Sequence, residues 1–133
     1  MGGRGAGMRR RPWIPQRGEV VLVRFPFLQT DGRVQVKPRP AVIISGPVIH
    51  EQTADVIIAA ISSRPASRPL PTDYHIPYGS SESKAGGLKR DSWVKVSNLA
   101  TIPRSAIARR LGRLTAAGMR AVDERLRLAL GLD

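Results

Sequence analysis

Two spacings of apolar residues organise this chain. From Gly18 onward, Glu19-Val20-Val21-Leu22-Val23-Arg24-Phe25 is apolar and β-branched, which predicts a buried strand ended by Pro26. The polar stretch from Gln29 to Lys37 contains an Asp31-Gly32 turn signal and predicts a long loop or loose hairpin. Pro40-Ala41-Val42-Ile43-Ile44-Ser45 predicts a second strand, closed by Gly46-Pro47. Asp55 to Ser62 is apolar nearly throughout, so it predicts a central strand. Asp73-Tyr74-His75-Ile76-Pro77-Tyr78 alternates, with Tyr74, Ile76 and Tyr78 on one face, and its proline marks an edge strand. Residues 63–72 and 79–87 read as surface loops. Ser92-Trp93-Val94-Lys95-Val96 predicts a fifth strand, with Trp93 on one face and Val94 and Val96 on the other. A helical turn is expected after Pro103, and Arg109 to Leu114 reads as a last short strand.

The period then lengthens. Met119, Val122, Leu126, Ala129 and Leu130 recur at helical spacing after Thr115, a good N-cap, and Gly131 follows where a helix-ending glycine belongs. On the opposite face Asp123 and Arg127 are four residues apart and are expected to pair. Many short strands followed by one amphipathic helix predict a mainly β fold with helical additions, a small β-barrel with a C-terminal helix.

Composition sharpens this picture. The chain has 133 residues, enough for one modest core, and its 41% apolar content excludes disorder throughout. Lys and Arg number 22 against 10 Asp and Glu, a formal charge of +12, which points to a polyanionic partner. Arg4, Arg9, Arg10, Arg11 and Arg17 lie in a stretch rich in glycine and proline with no acid, so residues 1–17 read as a flexible basic tail before a domain spanning 18–133. With no cysteine and two histidines, His50 and His75, disulfides, thiol nucleophiles and cysteine-ligated metal sites are excluded and a multi-histidine site is not expected. No apolar run is long enough to span a membrane, and the basic N-terminus lacks the apolar core of a secretory signal. The expected compartment is the cytoplasm, with no membrane partner.

The chemistry is narrowed by what is missing. There is no glycine-rich phosphate loop after a strand and no Gly-x-Ser-x-Gly nucleophile elbow. Carboxylates are scattered, without the cluster a two-metal nuclease needs. A metal-free, cofactor-free route favours RNA, because the ribose 2′-OH can attack the adjacent phosphate. The protein must then orient that phosphate and stabilise its added charge. Arginine suits this task, with a permanent charge and a fork that matches phosphate oxygens. Arg39, fixed just before Pro40 at the mouth of a buried strand, is the candidate, with Ser62 at the end of the central strand as a phosphate-orienting hydroxyl. The ordinary roles of such residues are a solvated charge and a turn former.

The order Arg17-Gly18-Glu19-Val20-Val21-Leu22-Val23, Arg39-Pro40-Ala41-Val42-Ile43-Ile44-Ser45, then Val56-Ile57-Ile58-Ala59-Ala60-Ile61-Ser62-Ser63 resembles the PemK/MazF (also Kid) toxins of type II toxin–antitoxin systems. Leu70-Pro71-Thr72, Gly87-Leu88-Lys89-Arg90-Asp91-Ser92 and the stretch from Gly112-Arg113-Leu114 to Leu132 extend the likeness over about residues 17–132. The resemblance implies an SH3-like barrel, a homodimer and cleavage of single-stranded RNA. It also implies a cognate antitoxin whose acidic segment occupies the RNA groove, and contact with DNA alongside that antitoxin. Arg39 matches the family's catalytic arginine, and Ser62 falls where the family usually has threonine. Lys95 and Ser97 stand where Kid-like members have an arginine and an aspartate. Arg33, Lys37, Arg64, Lys89, Arg90 and Lys95 are the candidates for RNA-backbone contacts.

Two aromatic questions remain open at this level. Trp93 could stack on a base or pack in the barrel or a dimer interface. His75 could touch RNA or be an ordinary surface histidine. A rival to the nuclease reading is a catalytically silent nucleic-acid-binding barrel; a protein-binding module with a basic face is a third.

Overall fold

The structure, a computed structural model, describes residues 13–28, 34–65 and 67–133. Its strands are β1 (Glu19–Leu28), β2 (Val34–Ile43), β3 (Asp55–Ser62), β4 (Asp73–Ile76), β5 (Ser92–Pro103) and β6 (Ile107–Arg113). They form one sheet of six strands in the order β4-β5-β3-β2-β1-β6, every neighbouring pair antiparallel. The ladder ends at β4 and β6 without joining them, so the expected barrel is an open sheet. The helices are α1 (Pro47–Gln52), α2 (Ser81–Ala85) and α3 (Ala116–Leu130), with a 3₁₀ turn at Arg104–Ala106.

Both faces of the sheet are buried, which is why its central strands read as continuous apolar runs. Val20, Val42, Ala59, Ile61, Val94 and Val96 pack on one face, closed by Leu114 and by Val122 of α3. Val21, Val23, Ala41, Ile43, Val56 and Ile58 pack on the other, with Ile102 and with Ala106 and Ile107 from the turn into β6. Fully burying one such side chain stabilises the fold by roughly 1.5–3 kcal/mol.

Several elements run longer than the pattern suggests. β1 continues through Pro26 to Leu28. β6 pairs with β1 only as far as Val23, so among the described residues one side of β1 has no strand partner from there on and Pro26 costs no ladder bond. β5 continues past Val96 to Pro103 through a bulge. Its register on β3 jumps from Ala60↔Lys95 to Ala59↔Leu99, leaving Val96, Ser97 and Asn98 without β3 partners. β4 is the edge strand its proline indicated, but it stops at Ile76 and leaves Tyr78 exposed.

The helices are fixed by caps. α3 begins where expected: the Thr115 hydroxyl accepts the Gly118 N–H at 3.0 Å. At its far end the Gly131 N–H returns to the Leu128 carbonyl. Asp123 does not take up Arg127 but pairs with Arg17. Arg17 is near the N-terminal end of the described chain, and its Nε also donates to the Ile44 carbonyl at 2.9 Å. A long-range guanidinium therefore replaces the local i,i+4 partner. α2, in a stretch expected to be loop, is capped by Ser80, whose hydroxyl accepts the Ser83 N–H at 3.1 Å. Glu82 of α2 then reaches α3, accepting the Thr115 N–H and hydroxyl, each at 2.7 Å.

Candidate functional site

Strand register decides which side chains meet. Arg39 of β2 pairs with Val23 of β1. β2 and β3 are in register at Ala41↔Ala60, and continuing that register by two residues sets Arg39 opposite Ser62. Ser62 pairs with Trp93 of β5, and Trp93 with His75 of β4. Because side chains alternate between faces, Val23, Arg39, Ser62, Trp93 and His75 form one row across five strands on one face. The two residues named as catalytic from the sequence thus share one face, each two residues beyond the last paired positions, Ala41↔Ala60.

Arg39 also lines an open cleft of about 380 Å³ with Lys37, Lys89, Arg90 and Arg109, over an apolar floor that includes Leu22, Ile61 and Leu111. Among the described residues, no Asp or Glu lines it. Lys37, Lys89, Arg90 and Arg109 are all exposed. The cleft concentrates positive charge against a low-dielectric wall, which favours a polyanion. Arg109 was not singled out from the sequence, where it is one of two adjacent arginines in a strand. Its neighbour Arg110 turns to β1 and pairs with Glu19 at 2.5 Å, so the strand's alternation separates a cleft cation from a structural one.

Backbone contact builds the cleft wall. Gly87 has φ +66, and a Cβ there would come within 2.8 Å of the Leu111 carbonyl carbon. A Cβ on Gly112 would lie 2.8 Å from the Gly87 nitrogen. Only two glycines allow the chain leading to Lys89 and Arg90 to lie directly on β6 beside Arg109.

The other sequence candidates separate. Ser62 is half-buried, and its hydroxyl both accepts the Arg64 N–H and donates to the Arg64 carbonyl, each at 3.1 Å. It closes its own turn, and Ser63 rather than Ser62 lines the cleft. Arg64 lies exposed in that turn, outside the cleft lining. Lys95 donates to Asp73 at 2.8 Å, both side chains largely shielded, so its charge is matched within the fold. Burial alone would push the Asp73 carboxyl up; the Lys95 hydrogen bond, the Leu70 N–H and the Lys95 charge together hold it below its ordinary value. Ser97 is exposed in the β5 bulge. Arg33 lies outside the described residues, as do the Asp31-Gly32 turn and residues 1–12 of the tail.

A second hydroxyl–base pair sits elsewhere. Ser45 Oγ and His50 Nε2 are 2.6 Å apart and both residues are buried. Ser45 Oγ also accepts the Ile57 N–H at 2.9 Å, and the Pro15 carbonyl takes the ring's other N–H. Burial first, and then the nearby Arg104 charge, push the His50 pKa below its ordinary value. This imidazole is a satisfied member of the core, held neutral.

With that geometry in place, comparison with known proteins identifies the family. Residues 16–130 match the family model described as the PemK-like, MazF-like toxin of type II toxin–antitoxin systems. The chain is 25% identical to a mycobacterial endoribonuclease solved in complex with its cognate antitoxin, with a TM-score of 0.66, covering 90% of this chain and 97% of that one. It is also 25% identical to the Mycobacterium tuberculosis toxin MazF-mt6, again with a TM-score of 0.66, covering 86% and 98% of the two chains. MazF from Deinococcus radiodurans, 20% identical over 90% of this chain and 99% of its own, shares the fold with a TM-score of 0.66. The chain belongs to the PemK-like, MazF-like toxin family of type II toxin–antitoxin systems.

Proposed function

We propose that this endoribonuclease toxin cuts single-stranded RNA without a metal ion, by attack of a ribose 2′-OH on the adjacent phosphate. The 2′-oxygen loses its proton and bonds to phosphorus. The bond from phosphorus to the 5′-oxygen breaks, and that oxygen leaves with a proton. The products end in a 2′,3′-cyclic phosphate and a 5′-OH. Arg39 stabilises the charge that builds on the phosphate oxygens, the role for which a fixed guanidinium is best suited. Ser62, next in the row, orients the phosphate. The reading is carried by one observation: Arg39, on the row it shares with Ser62, lines a basic cleft in which no Asp or Glu stands among the described residues. The metal-free course is supported by the donor set, since among the described residues no three His, Asp or Glu side chains gather to hold an ion.

The same cationic cleft suits the acidic segment of a cognate antitoxin, which would neutralise the toxin by occupying it. A homodimer acting in the cytoplasm, able to contact DNA when joined to its antitoxin, completes the proposal. Among the described residues, no helix is long and apolar enough to cross a membrane. One observation favours a rival, a silent nucleic-acid-binding protein: the Ser62 hydroxyl is engaged by its own turn. Incubation with a long single-stranded RNA in EDTA separates the two. Discrete fragments ending in cyclic phosphate, and abolished by a 2′-deoxy substitution at the cut site, are expected of the nuclease. RNA that stays bound and intact leaves the binder.

A further inference from the structure

We infer that the stacked pair of Trp93 and His75 is a base-reading platform. On it a nucleobase of the bound RNA stacks while that nucleotide's phosphate, or its neighbour's, reaches Arg39. The inference rests on the RNA-cleaving reading and adds to it a determinant of where the chain is cut.

The two rings lie 4.6 Å apart, centroid to centroid, with 8° between their planes. Trp93 and His75 are direct cross-strand partners, and such partners stand about 5 Å apart. The stacking axis therefore runs from strand to strand, along the row, with both rings upright on the sheet. One face of Trp93 meets His75. Its opposite face looks along the row toward β3, where the neighbour is Ser62. Continuing the β2–β3 register two residues past Ala41↔Ala60 brings Arg39 beyond that small residue, at roughly 10 Å or two strand spacings from Trp93. Aromatic wall, low serine floor and guanidinium thus bound a slot on the sheet surface. A flat ring fits against the wall, and an attached phosphate points to the cation.

The pair is not needed to build the core. Trp93 belongs to neither apolar cluster and is only half-buried, and His75 is exposed on the edge strand. Stacking also suits this ligand, because every base has a π-face whichever groups its edge presents.

Fluorescence provides the test, since the chain has two tryptophans and Trp13→Phe leaves Trp93 as sole reporter. The probe is a pool of mixed-sequence 2′-O-methyl RNA oligonucleotides, which bind but offer no 2′-OH to attack. Binding is expected to quench Trp93. Trp93→Ala and His75→Ala should each weaken binding by about ten-fold or more. Trp93→Phe should restore most of the affinity. In Trp93→Ala the salt dependence should keep its slope, because no phosphate contact is lost. His75→Ala removes an exposed side chain and keeps the test valid if Trp93→Ala fails to fold. Wild-type binding without quenching, together with unchanged affinity in His75→Ala and Trp93→Phe, overturns the platform and leaves the nuclease standing. Emission that follows protein concentration and ignores the oligonucleotides also overturns it, assigning Trp93 to contact between copies. Failure of the wild-type protein to bind any oligonucleotide overturns both readings.

Discussion

The Ser45–His50 pair and the Ser62–Arg39 row each join a hydroxyl with a basic side chain, and they behave oppositely. At Ser45 and His50 the pair is tight, buried and complete. Every polar atom described there has a partner in the fold, and burial holds the imidazole neutral. Ser62 and Arg39 share an open row, and Arg39 lines a cleft whose other cations face water. Residue types alone would favour the first as a catalytic dyad, since hydroxyl and imidazole are familiar partners in acyl transfer. Accessibility reverses the assignment. A polar group satisfied inside the fold stabilises it; an exposed cation beside an apolar wall is within reach of a ligand's charge.

The largest effect should come from Arg39→Ala. Loss of the charge stabiliser is expected to lower cleavage by at least 10²–10³-fold with the melting temperature unmoved; gel-resolved cleavage beside a thermal melt reads both. His50→Ala should do the reverse. Removing one partner strands the Ser45 hydroxyl and opens a void, for a loss of about 1–3 kcal/mol in denaturant unfolding. Cleavage per folded molecule should stay as it was. A fall in activity beyond the folded fraction would erase the contrast.

Acidification gives a smaller and more specific test. His50 binds its proton less readily folded than unfolded, so the unfolded chain holds more protons as the pH drops. Its contribution to stability is whole above the ordinary value of 6.5 and declines as the pH falls below that toward the folded value. Unfolding curves across this window should show the decline, and His50→Gln should flatten it. The smallest effects belong to single cleft cations. Lys89→Ala or Arg109→Ala should cost a few-fold in RNA affinity and reduce the salt slope by about 0.7, one phosphate contact on a single strand.

How much of this was legible beforehand depended on how local each signal is. α3 carries its cap, period and terminator within its own stretch, so its bounds followed directly. β3 was equally plain, its eight residues apolar nearly throughout. α2 was missed because it is short and is held through Glu82 to Thr115, a partner 33 residues away. Asp123 was assigned the wrong cation because Arg17, distant in the chain, reaches it first. The site divided the same way. Arg39 and Ser62 stood out from position and from resemblance, but their alignment needed the register of β2 on β3. Lys95 looked available until β4 placed Asp73 against it. Arg109 was hidden within a tandem of identical residues that only strand alternation tells apart.

The contact between Gly87 and Gly112 bears on how this protein would answer selection. In a saturation screen for toxicity, both positions should tolerate no replacement, as intolerant as Arg39 although neither has a side chain to offer the reaction. Survival alone would therefore draw the functional map too large, adding the seam between two backbones to the residues that touch RNA. Scoring each variant for abundance as well as for killing would separate the groups: glycine replacements vanish from the cell, whereas the Arg39 variants accumulate as harmless protein.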